Sequence, residues 1–258
     1  MPEPHPFGPP NKPVVCLKLG RKCVKTDSRT LCLGKYFTGA LPAPPATADW
    51  TKGIADWGMM LNDQLGDCTI VGCAHGIQDW TANDGTLLTL PDSVVEDYYR
   101  RWCGYDGTPE TDLGGIELDV LKSWRKEGLA NHTLTAFADA HSVLEARQGI
   151  HLFGGVYIGV ALPNTAQNQD MWDVVPNGGA DAREGSWGGH AVFVPKYDAD
   201  GFTCITWGQQ KTMTLAFWKK YVDEVHVLLG ADWTGPDGKA PSGFDSAQLQ
   251  ADLAEVTR

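Results

Sequence analysis

The stretch Asn62-Asp63-Gln64-Leu65-Gly66-Asp67-Cys68-Thr69-Ile70-Val71-Gly72-Cys73-Ala74-His75-Gly76-Ile77-Gln78-Asp79-Trp80 decides the fold. Gly66 makes a tight turn. After it, Ile70, Val71, Cys73, Ala74, Ile77 and Trp80 are apolar at near-helical spacing, which predicts a largely buried helix opening at Cys68. A thiol at a helix N-terminus meets unpaired N–H groups and a positive dipole end. Both lower its pKa and favour the reactive thiolate. His75 sits seven residues on, along the same face, roughly 10 Å away, too far to act as a base to Cys68. A lone buried cysteine is ordinarily a small hydrophobe, and Cys73, Cys103 and Cys204 read that way.

Two later segments belong with the first: Gly188-Gly189-His190-Ala191-Val192 and Thr206-Trp207-Gly208. The glycine pair lets the backbone approach closely before a strand begins at His190. Set beside Cys68, an imidazolium at His190 would stabilise the thiolate and then protonate a leaving group. The Cys68 backbone N–H and a side-chain amide just upstream, Asn62 or Gln64, are candidate donors to a tetrahedral oxyanion. His132, His141, His151 and His226 have no supporting motif and read as structural or surface residues.

Further elements follow in order. Helices are expected from Pro91-Asp92-Ser93 to Trp102, over Ile116–Glu127 up to Gly128, and over Ser142–Leu152. Strands are expected from Gly155 to Leu162, at His190–Val194, at Phe202–Trp207 after the turn Asp198-Ala199-Asp200-Gly201, and at Val225–Leu229. Helices first and antiparallel strands second is an α+β order. Residues 1–48 read as a proline-rich basic N-terminal arm, with a hairpin between runs 14–19 and 30–33. Residues 49–232 form the body, and 233–258 a loop and one helix carrying Leu249, Leu253 and Val256 on one face.

The 258 residues carry a net charge of −11, unevenly spread. Residues 1–37 hold seven Lys/Arg against Glu3 and Asp27, and the remainder is strongly acidic. So acidic a body is a poor nucleic-acid binder, and the arm is expected to lie on an acidic surface of its own body or of a neighbouring subunit. No apolar run approaches the roughly 18 residues of a membrane helix, and the N-terminus has no secretory pattern, which points to a cytoplasmic or virion-associated protein. The seven cysteines are irregularly spaced, without Cys-x-x-Cys, so no zinc site, other metal or organic cofactor is expected. Most should be free thiols, although Cys16, Cys23 and Cys32 could pair locally.

Together these segments resemble the papain-like cysteine peptidases, over residues 50–230. That family has a cysteine opening a central helix, a Gly-His-Ala segment on a later strand, and then Asn-Ser-Trp-Gly. The resemblance implies Cys68 as nucleophile and His190, 122 residues on, as base, with Trp207-Gly208 matching the last motif. Asp112-Leu113-Gly114-Gly115 is similar to the family's substrate-lining Gly-Gly loop, and Gln148-Gly149-Ile150 through Ile158 to its helix-to-strand step. Gly66, Gly114, Gly115, Gly189 and Trp207 are thereby implied to line the substrate site. The family's oxyanion glutamine falls on Asn62 by spacing, with Gln64 closer to the cysteine. The implied fold is α+β: a helical N-terminal half with the cysteine on its central helix, and an antiparallel sheet or barrel as the C-terminal half.

Three departures bear on activity. Asp67 directly precedes Cys68, where a carboxylate would oppose thiolate formation. Ile205 falls on the family's asparagine and cannot orient His190. The preceding segment is unlike a long helical inhibitory propeptide. One reading is thus a hydrolase cutting an amide bond of a peptide or protein through a Cys68–His190 dyad. A second is an inactive structural or binding protein, such as a phage capsid or tail component, assembling through its arm into a homo- or hetero-oligomer. A third shares the dyad but acts on cell-wall peptides or transfers amides.

Overall fold

The computed structural model describes residues 17–33, 41–234 and 239–243. The expected tail helix, and Cys16, lie outside them. The helix opening at Cys68 is α1, Cys68–Asn83. It is apolar on nearly every face because it runs through the middle of the molecule, buried from Cys68 to Thr81. α2 (Asp92–Cys103) follows a proline N-cap and ends on left-handed Gly104. α3 (Glu117–Glu127) buries Leu118, Val120, Leu121 and Trp124. α4 (Val143–Phe153) is capped by the Ser142 hydroxyl, which accepts the Glu145 N–H at 3.1 Å.

The strands are β1 (Leu31–Cys32), β2 (Ala48–Asp49), β3 (Leu134–Asp139), β4 (Val156–Leu162), β5 (Gly188–Tyr197), β6 (Gly201–Thr206), β7 (Gln209–Thr214) and β8 (Val222–Gly230). Among the described residues they form one sheet in the order β1-β3-β8-β4-β5-β6-β7, with β2 paired to β5. Apart from the parallel β1–β3 pair, the pairings are antiparallel. A short helix α5 (Leu215–Tyr221), capped by Thr214, joins β7 to β8. The fold is α+β as expected, with most of the antiparallel strands after the helices, but β3 precedes α4 and α5 separates β7 from β8.

α1 lies against β5, and Trp80 locks its C-terminal end. The Trp80 indole is fully buried, donates to the Phe153 carbonyl at 3.0 Å and stacks on Trp124 with centroids 5.9 Å apart. Gly154 and Gly230 leave the room it fills. Truncating such a side chain to alanine costs about 3–5 kcal/mol. No helix among the described residues is long and apolar enough to cross a membrane.

The arm departs from expectation. Among the described residues the two runs are not paired with each other: Leu31–Cys32 pairs in parallel with Ala138–Asp139, and Arg21 bridges Gly115, also in parallel. Extended edge groups found better partners in the body than in each other, because the body supplies the acid that the arm's cations need. Lys25 pairs with Asp119 at 2.7 Å, and Arg21 is buried among carboxylates. Cys23 and Cys32 are free thiols.

Candidate active site

Cys68 is the first residue of α1 and is wholly buried. Its thiol accepts backbone hydrogen bonds from Ala191, the residue after His190 on β5, and from Gly20 of the arm. Burial nevertheless dominates and pushes the thiol pKa up to about 12, with the Asp67 charge adding to the rise. The expected lowering by the helix terminus is therefore overturned: desolvation outweighs the dipole.

His190 is also fully buried. Its Nε2 lies 2.7 Å from the Thr206 hydroxyl, and its ring stacks on Trp207 with centroids 4.5 Å apart and planes 13° from parallel. Thr206, not position 205, meets the histidine. Successive strand residues face opposite sides, so Ile205 points into a small cluster with Ile54 and Trp57. The missing asparagine thus leaves His190 with an oxygen partner all the same. The other ring nitrogen, Nδ1, is buried with no hydrogen-bond partner. Burial, then the Arg21 charge, lowers the histidine pKa to about 3. Cysteine and histidine are both neutral in this state.

The two upstream amides separate. Asn62 is buried, and its Nδ2 donates to Asp67 Oδ1 at 3.0 Å and, more weakly, to the Leu65 carbonyl at 3.4 Å. Gln64 is exposed. Burial raises the Asp67 carboxyl well above its usual range, which weakens but does not remove its opposition to a thiolate at Cys68. Asp112 Oδ1 accepts the Gly66 N–H at 2.8 Å and the Tyr99 hydroxyl at 2.7 Å, while Tyr99 accepts the Gly114 N–H at 2.9 Å. One carboxylate therefore ties the turn before Cys68 to the Gly114-Gly115 loop.

Residues 17–22 lie between these walls. Gly115 donates to the Gly20 carbonyl and Lys22 to the Gly115 carbonyl, both at 2.8 Å. Arg21 donates to the Gly189 carbonyl at 3.0 Å, and the Trp207 indole donates to the Lys18 carbonyl at 3.2 Å. A Cβ on Gly20 would fall 1.7 Å from the Gly66 oxygen, and one on Gly114 would fall 1.7 Å from the Gly20 oxygen. The segment is seated backbone to backbone on the glycines singled out in the sequence, and it covers Cys68. Beyond Trp207 a cavity of about 290 Å³ remains, lined by Leu17, Trp172, Trp187, Thr206 and Trp207.

A second cluster escaped the sequence reading. Arg21 buries its guanidinium against Glu224 Oε2 at 2.6 Å, Asp223 Oδ1 at 2.6 Å and Glu117 Oε1 at 2.9 Å. Burial works against its charge, but the three carboxylates outweigh it and hold the guanidinium pKa above its usual range. His226 is buried in the same cluster rather than at the surface, with Nδ1 2.8 Å from Asp139 Oδ1. Among the described residues, Glu117, Glu224 and His226 bring three potential metal-ligating atoms within 4.8 Å of one another. A guanidinium already balances those carboxylates. No local signal could have found this group, because Arg21 and Glu224 lie 203 positions apart.

No protein-family model matches the sequence, and no curated protein matches it. Solved structures do. Xylellain, a cysteine protease from Xylella fastidiosa, superposes with a TM-score of 0.64 at 15% identity, over 83% of this chain and 96% of that one. The Carica candamarcensis cysteine protease CMS1MS2 gives a TM-score of 0.48 at 18% identity, over 72% and 98% of the two chains. The fold is that of the papain-like cysteine proteases, as the ordered motifs imply.

Proposed function

We propose that the protein is a papain-like hydrolase that cleaves amide bonds through Cys68 and His190, with residues 17–22 of its own chain covering the site. The observation that carries this reading is the setting of His190. Thr206 and Trp207 hold the ring, Nδ1 is left without a partner, and the next residue's N–H reaches the Cys68 sulfur.

In the reaction, the Cys68 thiol passes its proton to His190 Nδ1 as the sulfur attacks the amide carbonyl carbon. The Cys68 N–H and Asn62 Nδ2 receive the oxyanion, the latter giving up its long bond to Leu65. Nδ1–H then protonates the amine, the C–N bond breaks and a thioester forms. Water, giving its proton to Nδ1, hydrolyses the thioester and returns the thiol. Thr206 keeps the imidazole in the tautomer and orientation this requires. One feature behind the alternative, inactive reading loses its weight: Thr206 supplies the partner Ile205 cannot.

The test is turnover of a fluorogenic peptide-amide library by the Gly20→Ala chain, in which the cover cannot seat. Cleavage abolished by Cys68→Ala and by His190→Ala is the expected result. A library left intact by a chain whose Cys68 is openly reactive overturns the proposal.

A further inference from the structure

The cover is held by a side chain as well as by its backbone, and that side chain has a built receptacle. Glu117 comes from α3, Asp223 and Glu224 from β8, and Gly159 of β4 forms the floor. A Cβ on Gly159 would fall 2.3 Å from Arg21 Nε, so a bare backbone is what lets the guanidinium in. Arg21 keeps only 3% of its side chain exposed, and Glu117 keeps none. Neither Glu117 oxygen makes a hydrogen bond even with Arg21 in place, although Oε1 lies 2.9 Å from its Nε, so the carboxyl keeps acceptor capacity beside the guanidinium. The receptacle also stands in register with the sulfur. Arg21 directly follows Gly20, whose N–H reaches Cys68.

From this geometry we propose that the pocket of Glu117, Asp223 and Glu224 selects an arginine side chain in substrates, one or two residues from the bond that Cys68 attacks, and that Arg21 is its internal occupant. The inference rests on the hydrolase reading for the word substrate, and on the pocket alone for the word arginine. Carboxylates from a helix and a strand meet a planar guanidinium from several directions. Asp223 takes both terminal nitrogens, at 3.2 and 2.6 Å, while Glu224 Oε2 takes Nε and Nη2, at 3.1 and 2.6 Å. A lysine ammonium, a point donor on a longer stem, cannot make those paired bonds at once. A neutral side chain of the same shape would leave buried carboxylates unbalanced.

The experiment uses the full chain carrying Gly20→Ala and Arg21→Ala, which lifts the cover and empties the pocket. Alkylation of Cys68 by iodoacetamide is followed while either acetyl-Gly-Arg-amide or its citrulline counterpart is titrated in. The arginine peptide is expected to protect at a concentration at least 10-fold lower than the citrulline peptide, and Glu224→Gln in the same chain should erase that difference. Equal protection, or a preference that survives Glu224→Gln, overturns the proposal. Should emptying the pocket loosen the fold, the thermal midpoint serves instead: the arginine peptide should raise it and the citrulline peptide should not. No rise with either peptide also overturns the proposal. A chain that binds the arginine peptide but cleaves no amide refutes the hydrolase and leaves the pocket standing. One that cleaves peptides without regard to arginine does the reverse.

Discussion

Replacing Gly20 by alanine should uncover Cys68. The added Cβ would lie 1.7 Å from the Gly66 oxygen, and backbone on the facing side cannot retreat because Asp112 holds the Gly66 N–H at 2.8 Å. The segment must lift instead. With it go the Gly20 N–H bond to the sulfur and the exclusion of water that sets the thiol pKa near 12. At pH 8 a thiol of that pKa is thiolate to only ~10⁻⁴, whereas one near the ordinary ~8.5 is about one quarter thiolate. The alkylation rate should therefore rise ~10³-fold. The assay is iodoacetamide labelling resolved by peptide mass spectrometry. Its internal references are exposed Cys23, which should react alike in both chains, and buried Cys73 and Cys204, which should stay protected in both. A variant whose Cys73 and Cys204 remain protected while Cys68 reacts no faster than in the parent would refute the reasoning about the cover.

Three further outcomes are expected. Thr206→Val, which keeps shape but leaves His190 Nε2 without a partner, should cost about 1–3 kcal/mol of stability in urea unfolding, and Thr206→Ser should restore most of it. In the Gly20→Ala background, Asn62→Ala should lower kcat on a peptide amide by ~10²–10³ while exposed Gln64→Ala leaves it unchanged; equal effects would move the oxyanion donor elsewhere. The thermal midpoint should fall as pH rises from about 6.5 to 9. Burial opposes the charge on His226, but hydrogen bonds to Asp139 and Glu224 and the nearby Glu117 carboxylate raise its pKa from 6.5 to about 9. Its stabilisation is thus complete below the unfolded value and lost on passing the folded one. The full loss is on the order of 3 kcal/mol, and His226→Gln should flatten the profile.

What the sequence made legible was carried by long periodic runs and glycine punctuation. α1 was readable because Ile70, Val71, Cys73, Ala74, Ile77 and Trp80 leave it no wet face, and β5 because a glycine pair precedes an apolar run. β7 was not readable. Gln209-Gln210-Lys211-Thr212-Met213-Thr214 is an edge strand with one buried apolar residue, and its polar surface hides its period. β3 buries only Leu134 and Phe137 fully, three positions apart, with a register shift between Leu134 and Ala136. Both β7 and the short α5 after it need the neighbouring sheet to define them. At the site, Cys68, His190 and Trp207 could be named from their motifs, whereas Thr206 could not be preferred to Ile205 until the strand's facing was known. Burial set the direction of the Cys68 and His190 pKa shifts, and burial by residues 17–22 is a long-range fact. Neither the thiol's neutrality nor the partnership of Arg21 with Glu224 has a local signature.

The exposed run from Lys22 to Thr26 joins the cover to β1, where Leu33 is buried and the chain is fixed to the body again. That short link makes Arg21 a tethered ligand. Its effective concentration at the pocket is in the millimolar range, set by the length of the link and independent of how dilute the protein is. A free arginine peptide at micromolar concentration competes against odds of ~10³. One scission in the link would turn an intramolecular equilibrium into a bimolecular one, and the same contacts that hold the cover shut would then release it on dilution. The affinity of the pocket for arginine and the state of the link would together decide when Cys68 meets a substrate, with no change in the residues of the site itself.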